Sequence, residues 1–431
     1  MPCAGLAGMD LSSSAFDAQS RATNRTIRHT RVDLAQRPFI VIWEVTRACD
    51  LACLHCRATS MPTPDPAQLT TAEGLALIDQ IASFGSPPPL FVMTGGDPLK
   101  RRDLTELVRH AVSRGLPTSL SPSATPLLTE QAMTELKAAG LVAISLSLDG
   151  SSARSHDAFR GREQTFARTI EAWERAHTLG LKVQVNTTVT TRNLDDLAAL
   201  ARMVLARRAM TWSVFFLIQT GRGSGLEQIS PSQCEDALNF LYDVGAIIPV
   251  KTTEAHHFRR VAIQRAIFEQ TGIAPEQAIT LGETYRNLRR EFGPIVPTGR
   301  RRRPPLDINA ARGFVFVSHT GEVFPSGFLP LSAGNVRTQE LSSLYRTSGI
   351  FTALREARLL KGRCGVCEFA PVCGGSRSRA FAQTGDLLAE DALCAYQPGS
   401  FPCQDELTAL LAPLLRARSQ LDGQNLRETA A

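Results

Sequence analysis

The 431-residue chain contains no apolar run of about 18 residues, so it offers no candidate for a membrane-spanning helix. Residues 1–33 are rich in Ser, Ala, Thr and Arg but lack a continuous apolar segment, so they do not read as a secretory signal. Asp10, Asp17 and the missing amphipathicity argue against a transit peptide. Internal repeats are absent, and so is a strong charge imbalance. The formal net charge of +6 does not point to nucleic acid, although it suits an acidic small substrate or an acidic redox partner. Hydrophobic residues at 43% and charged residues at 20% are ordinary for a globular chain, and a core of this size needs no disulfide staples. The expected location is cytoplasmic.

Ten cysteines are present, and seven fall into two groups. Without an export signal, grouped cysteines read as metal ligands rather than disulfides. Around the first group, short apolar runs at 39–45, 90–94, 117–120, 142–148, 182–188 and 212–217 alternate with amphipathic segments. Those lie near 71–84, 103–113, 129–139, 165–179, 193–206 and 231–244. Buried strands alternating with helices predict βα units and a parallel sheet. Six units in succession predict a closed or partly closed barrel with its functional loops at the carboxyl ends of the strands.

Cys49, Cys53 and Cys56 follow the first predicted strand directly, with spacing C-x3-C-x2-C. Three thiolates can hold three irons of a cubane and leave the fourth open to a small molecule. Structural zinc usually takes four protein ligands, often in C-x2-C pairs, and His55 is the one extra ligand nearby. At these residues the chain resembles the radical S-adenosylmethionine (SAM) superfamily, whose signature has this spacing after the first strand of a partial (β/α)6 barrel. The resemblance implies that SAM binds the open iron of a 4Fe–4S cluster and is cleaved reductively to a 5′-deoxyadenosyl radical, which abstracts hydrogen from substrate.

Further segments extend the resemblance. Gly95-Gly96-Asp97-Pro98, after the second strand, is similar to the family's Gly-Gly-Glu-Pro turn that holds the SAM amino group, with Asp97 in place of the commoner Glu. Ser147 and Arg160, around the end of the fourth strand, and Asn186 on the fifth match positions implied to contact SAM. Ser121 and Ser123 are weaker candidates, and a surface salt bridge is the plain alternative for Arg160.

Cys364, Cys367, Cys373 and Cys394 form a C-x2-C-x5-C set with one later cysteine. Four thiolates close a site that suits structural zinc or an auxiliary 4Fe–4S cluster, and the spacing departs from the paired C-x2-C of zinc ribbons. The segment resembles the shorter, twitch form of the SPASM extension of radical SAM enzymes. Cys234 and Cys403 are expected to be structural and Cys3 incidental.

The stretches 251–260, 318–327, 364–380 and 384–398 resemble the haem-biosynthetic branch. That resemblance implies a carboxylate-bearing tetrapyrrole such as iron-coproporphyrin as substrate, oxidative decarboxylation of its propionates, and a flavodoxin or ferredoxin as reductant. His256 or His257 would ligate a substrate iron or donate a proton. Arg259, Arg260 and Arg300–Arg303 are either carboxylate partners or solvated charge. The alternatives are a maturase of ribosomally made peptides and a non-catalytic iron–sulfur electron carrier. The open three-cysteine site argues against a carrier.

The expected α/β organisation is a flexible arm (1–36), the partial (β/α)6 barrel (37–250) and a connector or lid (251–310). A small α+β twitch/SPASM-like cluster domain (311–403) and a C-terminal helix with a disordered tail (404–431) follow.

Overall fold

The computed structural model describes residues 26–412, except 29, 31, 297, 298, 300 and 301. Most of the expected N-terminal arm, Cys3, Arg300, Arg301 and the tail beyond residue 412 lie outside the described residues. Among the described residues no helix is long and apolar enough to cross a membrane.

The sheet is laid down strand by strand. In chain order come β1 (Ile40–Glu44), α1 (Thr71–Ala82), β2 (Leu90–Thr94), α2 (Leu104–Ser113), β3 (Thr118–Leu120), α3 (Glu130–Ala138) and β4 (Ala143–Ser147). Then follow α4 (Ala153–Arg160), α5 (Thr165–Thr178), β5 (Lys182–Val189), α6 (Leu197–Ala206), β6 (Thr211–Phe216), α7 (Pro231–Val244) and β7 (Val250–Thr253). Helices α8 (Phe258–Thr271) and α9 (Glu283–Phe292), strands β8 (Phe314–Val317) and β9 (Val323–Phe324), and helices α10 (Leu341–Thr347), α11 (Gly349–Arg355) and α12 (Arg377–Thr384) complete the set used below. The sheet order is β7-β6-β5-β4-β3-β2-β1-β8-β9, parallel except for the β8–β9 hairpin. Each parallel step is bridged by a helical crossover, as parallel pairing requires. The helix starts follow local rules: Thr70 and Glu73 form a capping box at α1, and Ser230, Pro231 and Gln233 do the same at α7.

Two features differ from the sequence reading. The expected connector begins with a seventh parallel strand, β7, paired with β6 from Trp212↔Val250 to Phe215↔Thr253. Its sequence, Val250-Lys251-Thr252-Thr253, has one apolar residue, so no apolar run marks it. The β8–β9 hairpin is present, and it extends the barrel sheet, with β8 paired in parallel to β1 from Ile40↔Phe314 to Trp43↔Val317.

The strands are two-faced. Val41, Trp43, Phe91, Met93, Ile144, Leu146, Val183 and Val185 are buried at 0–1% exposure in the main core. Each such burial contributes on the order of 2 kcal/mol. The alternate positions, among them Thr94, Ser119, Ser145, Ser147, Asn186 and Thr188, line an internal cavity. These small and polar side chains do not fill the barrel, so its concave side stays open for a ligand. A second apolar cluster, with Ile263, Phe268, Phe369, Val372 and Phe401, packs α8 against the second cysteine segment.

Candidate functional site

The cavity has a volume of ≈ 560 Å³ and is lined at the carboxyl ends of the strands by Cys49, Cys53 and Cys56. Backbone bonds hold the cysteine loop from several sides. Cys49 N–H donates to Met61 O at 2.7 Å, Leu54 N–H to Phe159 O at 3.0 Å, and Arg222 N–H to Cys56 O at 2.9 Å. Gly96 N–H donates to Thr46 O at 2.8 Å and Asp97 N–H to Ala48 O at 2.6 Å. This pairing explains the two glycines. A Cβ on Gly95 would lie 2.5 Å from Thr46 O, and one on Gly96 would lie 2.6 Å from Arg47 O. Their lack of a side chain therefore serves the approach of two backbones as well as access to the cavity, which both glycines line.

The thiols face donors. Cys49 Sγ accepts from Leu51 N–H at 3.4 Å and lies 3.6 Å from Ser123 Oγ, and Cys53 Sγ accepts from Arg160 at 3.6 Å. Burial pushes the Cys49 thiol up. At Cys56 burial acts the same way, but the backbone N–H groups of Ser60 and Ala58, with Arg222 and Arg57, outweigh it and lower the thiol. His55 stacks on Phe159 at 4.7 Å between ring centroids, and burial holds it neutral with a pKa of about 4.

The structure gathers Gly95, Gly96, Ser121, Ser123, Ser147, Arg160 and Asn186 around the same cavity. Ser147 and Asn186 are register partners across β4 and β5, which places them side by side. Arg160 is no surface ion pair. It is bound to Asp149, which is 1% exposed and is also held by Thr188 N–H at 2.7 Å. Asp97 is the exception. Its carboxylate is fully buried, accepts from Thr125 Oγ1 at 2.6 Å and Leu99 N–H at 3.2 Å, and does not line the cavity. Desolvation raises its pKa, and its side chain caps a short 3-10 turn.

Cys364, Cys367, Cys373 and Cys394 surround a separate pocket with His257, Arg260, Glu390 and Asp391. Gly374 and Gly375 turn there with φ of +66° and +62°, and a Cβ on Gly375 would lie 2.7 Å from Asp391 Cβ. Burial lifts the Cys367 thiol to about 12 and the Cys373 thiol further, and the neighbouring cysteines add to both shifts. Thiols this hard to ionise need a cationic centre among them to become ligands. Among the described residues no three His, Cys, Asp or Glu side chains converge on one metal-ion position. A zinc site would draw four ligands into a tight tetrahedron, with Zn–S of about 2.3 Å. Cubane ligands stand further apart, because each binds its own iron.

The histidine pair is split. His256 lines the central cavity, whereas His257 turns to the second pocket, 3.2 Å from Cys234 Sγ and 3.8 Å from Asp391. His256 Nδ1 sits 3.3 Å from the Arg259 guanidinium, which only donates, so its proton belongs on Nε2. Arg259 and Arg260 are not solvated. Arg259 is spent on the carbonyls of Leu306, Ile308 and Val372, and Arg260 on Glu235 and Gln264. Arg302 stacks on Tyr242 at 4.3 Å and pairs with Glu269 at 2.8 Å, whereas Arg303 lines the cavity. Cys234 and Cys403 are buried at 0% exposure.

Sequence reasoning did not single out Arg57, Asp149, Arg222, Lys251 or Glu254. Arg57 pairs with buried Glu44 at 2.9 Å, and Arg222 donates to Cys53 O at 2.9 Å. Glu254, at φ +58°, accepts from Ser326 at 3.0 Å and Ser378 at 3.1 Å. The described cavity lining holds seven Arg and Lys side chains and one carboxylate, Glu254.

A family model described as the radical SAM superfamily matches residues 43–204. The chain is 35% identical over 374 residues to an AdoMet-dependent heme synthase of Methanosarcina barkeri, covering 85% of this chain and 99% of that one. It is 37% identical over 370 residues to an AdoMet-dependent heme synthase of Nitratidesulfovibrio vulgaris, covering 85% and 94%. Among solved structures, Streptococcus suis SuiB bound to S-adenosylmethionine is similar with a TM-score of 0.61 at 13% identity. That match covers 84% of this chain and 78% of SuiB, and it is a likeness of fold.

Proposed function

Because the chain belongs to the radical SAM superfamily, in the branch of its haem-biosynthetic enzymes, we propose that it oxidatively decarboxylates propionate side chains of a tetrapyrrole such as iron-coproporphyrin. The observation that carries this reading is the single cavity. It joins a three-thiol loop at one end to a lining in which seven Arg and Lys side chains face one carboxylate, and Lys251, one of the seven, has no internal partner among the described residues, which suits a multiply carboxylated substrate.

Cys49, Cys53 and Cys56 would hold a 4Fe–4S cluster, and Gly95, Gly96, Ser147, Asn186 and Arg160, which line the same cavity, would face SAM. When bound, cluster and SAM together supply the 5′-deoxyadenosyl radical that takes a hydrogen atom from substrate. The loop's backbone bonds fix the thiols, and the Asp149–Arg160 pair keeps a guanidinium beside Cys53. His256, protonated on Nε2, acts as an N–H donor toward substrate and not as an iron ligand. In each decarboxylation the propionate loses a hydrogen atom, the bond to its carboxyl carbon breaks, CO2 leaves, and one electron must be accepted. The pocket of Cys364, Cys367, Cys373 and Cys394 is suited to hold that acceptor, an auxiliary 4Fe–4S cluster. A flavodoxin or ferredoxin is the reductant.

The test is anaerobic reconstitution with iron and sulfide, followed by a 5′-deoxyadenosine assay with and without iron-coproporphyrin. About eight irons per chain and SAM cleavage stimulated by the porphyrin support the reading. Slow cleavage indifferent to the porphyrin contradicts it and redirects the search to peptide substrates.

A further inference from the structure

The cavity has a second pole, away from the cysteines. Its lining continues down to the amino ends of the strands at Phe39, Leu90, Val142, Met210 and Val250. Strands of this length separate that floor from the cysteine loop by about 13–20 Å. Three cations meet there. Lys251 lies on β7 opposite Ser213 of β6. Arg303 reaches Thr211 Oγ1 at 3.0 Å. Arg28 is carried on a bridge to Leu306, with its N–H donating to Pro305 O at 2.9 Å.

The Lys251 ammonium makes no hydrogen bond or ion pair among the described residues, and Arg28 Nε is buried without a partner. Burial and the neighbouring Arg303 lower the Lys251 pKa to about 8, so the ammonium remains charged at neutral pH. The one carboxylate in the cavity, Glu254, is taken by serine hydroxyls. The Lys251 ammonium is half-buried and faces the cavity without a counter-ion, a setting that favours an anionic ligand.

We propose that Lys251 and Arg303, with Arg28 beside them, form an anchor for the carboxylates of the substrate that do not react, those on the edge of the tetrapyrrole remote from SAM. This inference rests on the tetrapyrrole reading. It also assigns the carboxylate partners afresh, because Arg259 and Arg260 are saturated by internal acceptors. Anchoring one edge of a flat macrocycle at the floor points the opposite edge toward the cysteine end, which makes Lys251 and Arg303 positioning residues.

The experiment is an absorbance titration of iron-coproporphyrin into the reconstituted, SAM-loaded holoenzyme, comparing wild type with Lys251→Met, Lys251→Arg and Arg303→Met. Melting temperature and iron content are measured on each sample. Lys251→Met and Arg303→Met are expected to weaken binding at least about tenfold, the low end for a charge-assisted hydrogen bond, with Lys251→Arg staying within about threefold of wild type. Lys251→Met should melt no lower than wild type, because it removes a half-buried ammonium that has no counter-ion. Binding within about twofold of wild type in both Met variants overturns the anchor. So does weaker binding that accompanies a lower melting temperature and is not restored by Lys251→Arg. A wild-type holoenzyme that does not bind the porphyrin overturns the tetrapyrrole reading itself.

Discussion

One buried ion pair helps to join the barrel to the second cysteine set, and its loss has a calculable cost. Asp391 and Arg379 both have side chains at 0% exposure and meet at 3.1 Å. The same guanidinium donates to Phe216 O at 3.4 Å and Leu217 O at 3.3 Å, at the end of β6 and on the cavity wall. Burial pushes the Asp391 carboxyl up, but Arg379, His257 and the N–H groups of Ser376 and Leu393 outweigh it and hold it at about 2. A carboxyl at about 2 instead of 3.8 contributes about 2 kcal/mol, present above pH 3.8 and lost as pH falls toward 2. Removing one partner also strands the other charge, so Asp391→Asn or Arg379→Met should each cost about 3–5 kcal/mol. The double variant should cost clearly less than the sum, with a coupling of about 2–3 kcal/mol. Urea unfolding followed by tryptophan fluorescence measures all four corners of the cycle. Reconstituted Asp391→Asn should retain about four irons rather than eight while still cleaving SAM. Additive costs, with coupling below about 0.5 kcal/mol, would refute the idea that the two charges act as a pair at this joint.

Other perturbations separate the parts of the site. Gly96→Ala drives a Cβ against the carbonyls of Arg47 and Ala48, so it should cost roughly 1–3 kcal/mol and displace the cysteine loop, seen as lost iron absorbance and lost SAM cleavage. Asp97→Ala removes a cap and a buried hydrogen bond and should cost about 1–2 kcal/mol, yet SAM affinity by equilibrium dialysis should change less than about threefold, because the carboxylate faces Thr125. Lys251 binds its proton less tightly folded, at about 8, than unfolded, at 10.5. Wild-type stability should therefore rise between those pH values by up to about 3 kcal/mol, and Lys251→Met should abolish that part of the rise in urea titrations. Cys394→Ser should lose about four irons and keep SAM cleavage but not yield full product, as iron analysis and chromatography would show.

What could be read in advance followed local pattern. Strand β2 is found at the expected residues because Leu90–Thr94 is a short apolar run between turns, and α7 starts at Pro231 because Ser230 and Gln233 cap it. The two cysteine groups were visible because ligand spacing is local. What escaped depends on contacts distant in sequence. The parallel pairing of β8 with β1 joins residues about 270 positions apart, and no local pattern encodes it. Strand β7 is polar where it faces the cavity, so periodicity missed it and hid Lys251. Asp97 has the composition of a ligand-binding turn, but Thr125 from the next loop claims its carboxylate. His256 and His257 are adjacent in sequence yet face different pockets, because they lie in the turn that leads into α8, where successive side chains point apart. Charge runs carry no burial signal, so Arg259 and Arg260 read equally well as solvated or as substrate partners.

The most direct measurement incubates reconstituted enzyme with SAM, a low-potential reductant and iron-coproporphyrin, and counts 5′-deoxyadenosine, CO2 and the mass of the porphyrin product. The expected result is one CO2 and one 5′-deoxyadenosine for each propionate converted to a vinyl group. Abundant 5′-deoxyadenosine with an unchanged porphyrin and no CO2 would contradict the central claim.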